Sequence, residues 1–156
     1  MARLRFVRPE VRDVLHIARN LRQHDRMELR AVHGPDLDFG DCLRVCVLAS
    51  EECHVLTAPG GEPVALFGLA PVSLLGGMAC PWLLGTDAFM DYPRDIVVLG
   101  KRMVQRWGRR YDQLVNYVDA RNVRSLAWLQ HIGFRVFAPE PWGVEGLPFH
   151  RCERCA

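Results

Sequence analysis

The sequence predicts one α/β domain over residues 1–156, and three observations carry that reading. The length suffices for one hydrophobic core and is short for two. Apolar residues recur at helical spacing in some segments and alternate or run together in others. Through the second half these two patterns take turns, with no repeat, low-complexity tract or linker between them.

"RLRFVRP" (3–9) alternates as a first strand, and Pro9 opens the next helix. Val11, Val14, Leu15, Ala18 and Leu21 lie at helical spacing, and the pattern runs on toward Val32 as one helix or a broken pair. "HGPD" (33–36) is a turn. "DFGDCLRVCVLASEE" (38–52) is another helix, with Asp38 or Asp41 as its cap. "CHVLTA" and "PVALFGLAPV" are strands joined by the hairpin "PGGE". "GGMACPWLLGT" (76–86) is apolar on both faces, which places it centrally in the sheet.

Pro93 starts a long helix with Ile96, Leu99, Gly100, Met103, Val104 and Trp107 on one stripe. "QLVNYVDA" is a strand, and "NVRSLAWLQHIG" a helix stopped by Gly133. "FRVFAPE" is a strand, a loop holds Pro139, Pro141, Gly143 and Gly146, and "LPFHRCE" closes the chain. The expected order is β-α-α-β-β-β-α-β-α-β-β.

A net charge of +2 makes little electrostatic claim on nucleic acid. Lys101, Arg102, Arg106, Arg109 and Arg110 form the outer face of an amphipathic helix, which usually means a solvated face. No apolar run reaches the roughly 20 residues that cross a bilayer. "MARLRFVRPE" lacks the continuous apolar core of a secretory leader, so a cytoplasmic location with reduced cysteines is expected. Cys42 and Cys46 are spaced CxxxC, and Cys152 and Cys155 form a distant CxxC. Neither the spacing nor the separation suits a zinc site, so no metal is expected.

"VNYVDARNVRSLAWLQHIGFRVF" resembles the late strand–helix–strand unit of the GNAT-type N-acetyltransferase superfamily. That unit has an Asn followed eleven and twelve residues later by Gly-Phe, matched here by Asn122, Gly133 and Phe134. The resemblance implies a mixed, splayed sheet flanked by helices, open between its fourth and fifth strands. It implies acetyl-CoA in that opening and an unknown amine as acceptor. Asn122 and Ser125 at the start of the late helix are then cofactor-binding candidates, with Gly85 and Arg94 at the preceding strand–helix connection. Asp119 is the candidate base.

Two features depart from the family. The glycine-rich loop that holds the CoA pyrophosphate is replaced by "LLGTDAFMDYPRDIVVLGKR", which has Gly85 alone, Asp87, Asp91 and Asp95, and Pro93 without an N–H. The tyrosine that protonates the departing thiolate is replaced by Leu129, leaving Tyr117, or a hydroxyl or thiol from elsewhere, as the substitute. Trp142 and Tyr92 are expected over the mouth of the opening.

"DCLRVCVLASEECHVLTAPGGEPVALFGLAPV" and "YDQLVNYVDARNVRSLAWLQHIGFRVF" are also similar to small GNAT-like internal core or virion proteins of podoviruses. That narrower likeness implies a phage or prophage protein in the host cytoplasm or the virion. Its partners would be assembly proteins or a second copy. Three classes therefore stand: an acyltransferase, an inactive assembly scaffold, and a nucleic-acid binder through the arginine face.

Overall fold

The computed structural model describes residues 3–73 and 75–156. Met1 and Ala2, which begin the stretch read against a leader, lie outside the described residues, as does Leu74. The elements are β1 (Arg5–Val7), α1 (Val11–Arg19), α2 (Gln23–His33), α3 (Phe39–Ala49), β2 (Glu52–Thr57) and β3 (Pro63–Ser73). Then come β4 (Met78–Gly85), α4 (Pro93–Trp107), β5 (Gln113–Asp119), α5 (Val123–His131), β6 (Arg135–Trp142) and β7 (Leu147–Cys155). One sheet runs β1-β2-β3-β4-β5-β7-β6, antiparallel throughout except between β4 and β5. The β4 segment is central, as its two-sided apolar pattern predicts.

Helices cover both faces of the sheet. Val14, Ile17 and Leu43 from α1 and α3 pack on Val55, Leu66 and Leu84. On the other face Met103, Trp107, Leu129 and Phe134 pack on Phe67, Leu114 and Val118. No helix among the described residues is long and apolar enough to cross a membrane.

Three elements differ from expectation. The helical stretch between residues 11 and 32 is a pair, broken where buried Leu21 bridges to Thr86 and the Arg22 N–H donates to the Gly85 carbonyl at 2.9 Å. This makes three helices before β2 rather than two. Between β4 and α4 a 3-10 turn (Asp87–Asp91) is inserted, anchored by buried Phe89. Pro139 and Pro141, expected in a loop, lie within β6. The sheet tolerates them because β6 is an edge strand, whose outward N–H groups have no ladder to serve.

The opening formed by β4, β5, α4 and α5

β4 and β5 pair only at Met78↔Gln113 and Ala79↔Leu114, after which the strands diverge into a V. The ladder with β3 decides which β4 groups face that opening. Thr86 N–H bonds to the Val64 carbonyl, so by alternation Gly85, Leu83 and Pro81 turn their backbone outward. Pro81 has no N–H to offer, which is why a proline survives in a central strand. Its carbonyl accepts from Asn116 Nδ2 at 2.7 Å, across the V.

The lips of the V are tied to one helix. Gly85 N–H on the β4 lip donates to Asp25 Oδ2 at 2.8 Å, and Asp119 N–H on the β5 lip donates to Glu28 Oε1 at 2.6 Å. Asp25 and Glu28 are three apart on α2 and so share a face. With Gly85 engaged and Pro81 lacking a donor, Leu83 N–H is the β4 donor left to the opening.

The two carboxylates have different surroundings. Asp25 is buried and held by Arg22, whose Nε and Nη2 lie 3.0 and 2.9 Å from its oxygens. Glu28 has no such partner. Burial pushes its carboxyl up, and nearby Asp25 and Asp119 add to the effect against the Asp119 N–H and Arg22, bringing it to about 8. It is protonated at neutral pH and sits within reach of its own deprotonation.

Two cavities meet at this point. One, of about 800 Å³, opens between the sheet, α4 and α5; the other, of about 820 Å³, lies on the opposite face, walled by α2 and the β6–β7 hairpin. Glu28, Trp82, Leu83, Asn116 and Tyr117 line both, so the two cavities share a wall at the V. The hairpin is fixed to α2: Val144 N–H donates to the Val32 carbonyl at 3.2 Å, and a Cβ on Gly143 would lie 2.6 Å from the Ala31 carbonyl oxygen. That holds Trp142 flat on Tyr117, ring centroids 3.6 Å apart.

The structure brings some of the expected site residues together. Asn122 caps α5, accepting from Ser125 N–H at 3.3 Å, and both residues line the first cavity. Tyr117 is on the wall common to both cavities. Asp119, Gly85 and Arg94 line neither cavity. The Asp119 carboxylate is paired with Arg121 (Nε–Oδ1 2.9 Å); burial opposes its ionisation, but the bonds from Arg121 outweigh it and hold the group below its usual range. Such a carboxylate is a poor proton acceptor near neutrality. Gly85 spends its N–H on Asp25, and Arg94 is exposed at the second position of α4. Trp142, expected over the mouth of the opening, lines the second cavity instead, and Tyr92 is the residue before α4.

Glu28 was not a candidate from sequence, although a signal existed. Leu21, Asp25, Glu28 and Ala31 continue the apolar stripe of the preceding helix at helical spacing, so two carboxylates stand on the inward face, Asp25 buried and Glu28 half-buried. Other groups are used structurally. Arg106 and Arg110 are paired with Glu52, which thins the arginine face. Among the described residues no three His, Cys, Asp or Glu are arranged to hold a metal ion. Burial pushes the Cys80 thiol, on the wall of the second cavity, up to about 11, so it stays protonated.

The ends of the first cavity differ in their fitness for acyl-CoA. The splay offers Leu83 N–H, the Asn122 amide and apolar walls. Trp128, also on the lining, has a buried Nε1–H without a partner among the described residues. These suit an amide-bearing arm and a thioester carbonyl. At the head of α4, Pro93 takes the first helical position, Asp87 lines the cavity and Asp91 comes next, so the diphosphate lacks the usual backbone cradle. The fit is therefore to the thioester end of the molecule.

No protein-family model and no curated protein matches the chain. Solved structures do. The spermidine N-acetyltransferase from Vibrio cholerae in complex with CoA and spermine aligns with a TM-score of 0.71 at 12% identity, over 98% of this chain and 95% of that one. The chain has the GNAT fold. An acetyltransferase of the GNAT family from Bacillus anthracis gives 0.72 at 11% over 98% and 95%. AAC(6')-Ib in complex with ribostamycin and coenzyme A gives 0.68 at 16% over 99% and 93%. At these identities the likeness is one of GNAT architecture alone.

Proposed function

We propose that the protein is a GNAT-type N-acyltransferase that moves an acyl group from CoA to an amine, with Glu28 as general base. The observation that carries this reading is the Glu28 carboxyl at the junction of the two cavities, raised to about 8. A base tuned near the working pH suits removal of a proton from an ammonium or from an amine as it forms its new bond.

When bound, acyl-CoA supplies an activated acyl group in the first cavity. Leu83 N–H would hold the carbonyl oxygen, and Asn122 and Ser125 would hold the arm. The second cavity admits the amine against Tyr117 and Trp142. Glu28 takes the proton as the amine nitrogen bonds to the acyl carbon and the carbon–sulfur bond breaks. Tyr117 returns a proton from its hydroxyl to the departing sulfur. In this scheme Asp119 is a positioning residue, presenting through its N–H the oxygen of Glu28 that does not react.

One observation favours a second reading. Pro93, Asp87 and Asp91 oppose the diphosphate, as expected of a GNAT-fold scaffold without cofactor, and the podovirus core proteins that the sequence resembles supply its partner class. Calorimetric titration of acetyl-CoA separates the two. Micromolar binding that weakens in Asn122→Ala, with amine acylation lost in Glu28→Gln, supports the enzyme. No heat up to millimolar ligand supports the scaffold.

A further inference from the structure

The first cavity continues beyond the splay. It tracks α4 to Trp107, and its inner wall is Phe67, Met103, Val104, Trp107, Ile132 and Phe134, each less than a tenth exposed. Packed interiors leave few voids larger than a water molecule, and an apolar void gains nothing by admitting water. Space lined in this way suits an apolar ligand.

Its position identifies which part of a ligand it takes. α4 begins at the open end of the V and finishes beside the start of β5, where the V closes. The Met103–Trp107 stretch therefore lies on the inner side of Leu83 and Asn116, away from the mouth by which a nucleotide-bearing arm enters. At Gly100 a Cβ would meet the Trp128 ring at 2.7 Å, so α4 and α5 touch there and Trp128 is part of the lining. From Gly100 to Trp107 the helix rises about 1.5 Å per residue, so its lining residues span ~10 Å. That span matches an alkyl chain of roughly eight carbons at full extension.

We propose that the acyl group delivered to this cleft is a medium-length alkyl chain, seated along α4 between Gly100 and Trp107. The inference rests on the acyl-CoA reading above and changes its donor from acetyl-CoA to an acyl-CoA of about eight carbons. The acid head of α4 then matters less, because chain burial supplies affinity that the diphosphate does not.

The test is calorimetric titration of the native protein with acetyl-, butanoyl-, hexanoyl-, octanoyl- and dodecanoyl-CoA, and separately with octanoate. Affinity is expected to rise with length and level off near eight carbons, octanoyl-CoA binding at least tenfold tighter than acetyl-CoA. Val104→Phe, which fills the inner end, should bring that ratio toward one. Equal affinity for acetyl- and octanoyl-CoA overturns the chain inference and leaves the acyl-CoA reading standing. Octanoate binding without binding of any CoA thioester supports the channel and overturns that reading. No binding of octanoate or of any thioester overturns both.

Discussion

The β4–α4 and β5–α5 corners of the V are built from the same parts and tuned in opposite directions. Each has a strand lip whose N–H is capped by an α2 carboxylate, Gly85 by Asp25 and Asp119 by Glu28. Each leads to a helix head at the mouth of the first cavity. At the β4 corner the carboxylate is neutralised by Arg22, and the helix head carries Pro93 and Asp95 with no side-chain cap. At the β5 corner the carboxylate lacks such a cation and keeps its proton, while Asn122 caps a first turn free of acids. Of two carboxylates one helical turn apart, one is thus half of an ion pair and the other keeps its proton, and the difference lies in whether a guanidinium is hydrogen-bonded to it.

Breaking the β4 corner should have the largest effect. Asp25→Ala leaves Arg22 and the Gly85 N–H uncompensated in a buried place and should cost about 3–5 kcal/mol, read by urea denaturation. An Asp25→Ala protein as stable as the parent would show that the ion pair does not hold this corner. At the β5 corner, Glu28→Gln keeps the shape but cannot accept a proton. Turnover should fall roughly 100-fold or more, with the fold intact by circular dichroism.

The same residue sets a pH dependence. Its folded carboxyl lies near 8 against an ordinary 4.5, so the folded state binds the extra proton between those values. Its contribution to stability is complete below about pH 4.5 and is lost as pH rises through 8. Glu28→Gln should therefore be more stable than the parent at pH 9, by up to about 5 kcal/mol, and equal to it at about pH 4. Turnover of the parent should climb with pH to a plateau above about 8; a profile already flat from about pH 6 would deny Glu28 the role of base.

Two smaller changes sharpen the contrast between helix heads. Asn122→Ala removes the α5 cap and should lower stability by about 1 kcal/mol while weakening acyl-CoA binding. Asp87→Asn relieves the acid mouth of the β4 corner and should tighten acyl-CoA about two- to fivefold, an effect that fades in high salt. If salt leaves that ratio unchanged, charge is not what the mouth contributes.

Local grammar made most of the fold legible. Asn122 and Gly133 announce α5 through a side-chain cap and a left-handed stop at φ 108°, and both signals act within a dozen residues. Pro139 and Pro141 misled because proline reads as loop until an edge position is known, and edge position is a property of the whole sheet. Tyr117, Asn122 and Ser125, which line the first cavity, stood out as candidates because they belong to one continuous motif. Glu28 did not, since its partner is 91 residues away and only its place at helical spacing from Leu21, Asp25 and Ala31 marks it within α2. Asp119 sits where the motif directs attention, but Arg121 two residues on claims its carboxylate.

Pro81 has a consequence for the protein before any ligand arrives. Parallel strands that begin to pair tend to continue, and β4 and β5 already share a start at Met78–Gln113 and Ala79–Leu114. The next outward residue of β4 has no hydrogen to give, and its carbonyl is already taken by Asn116. The seam therefore ends there by covalent structure, like a zip with a missing tooth. The splay stays open without help from a substrate, and a closed sheet is removed from the set of states the chain must avoid while folding.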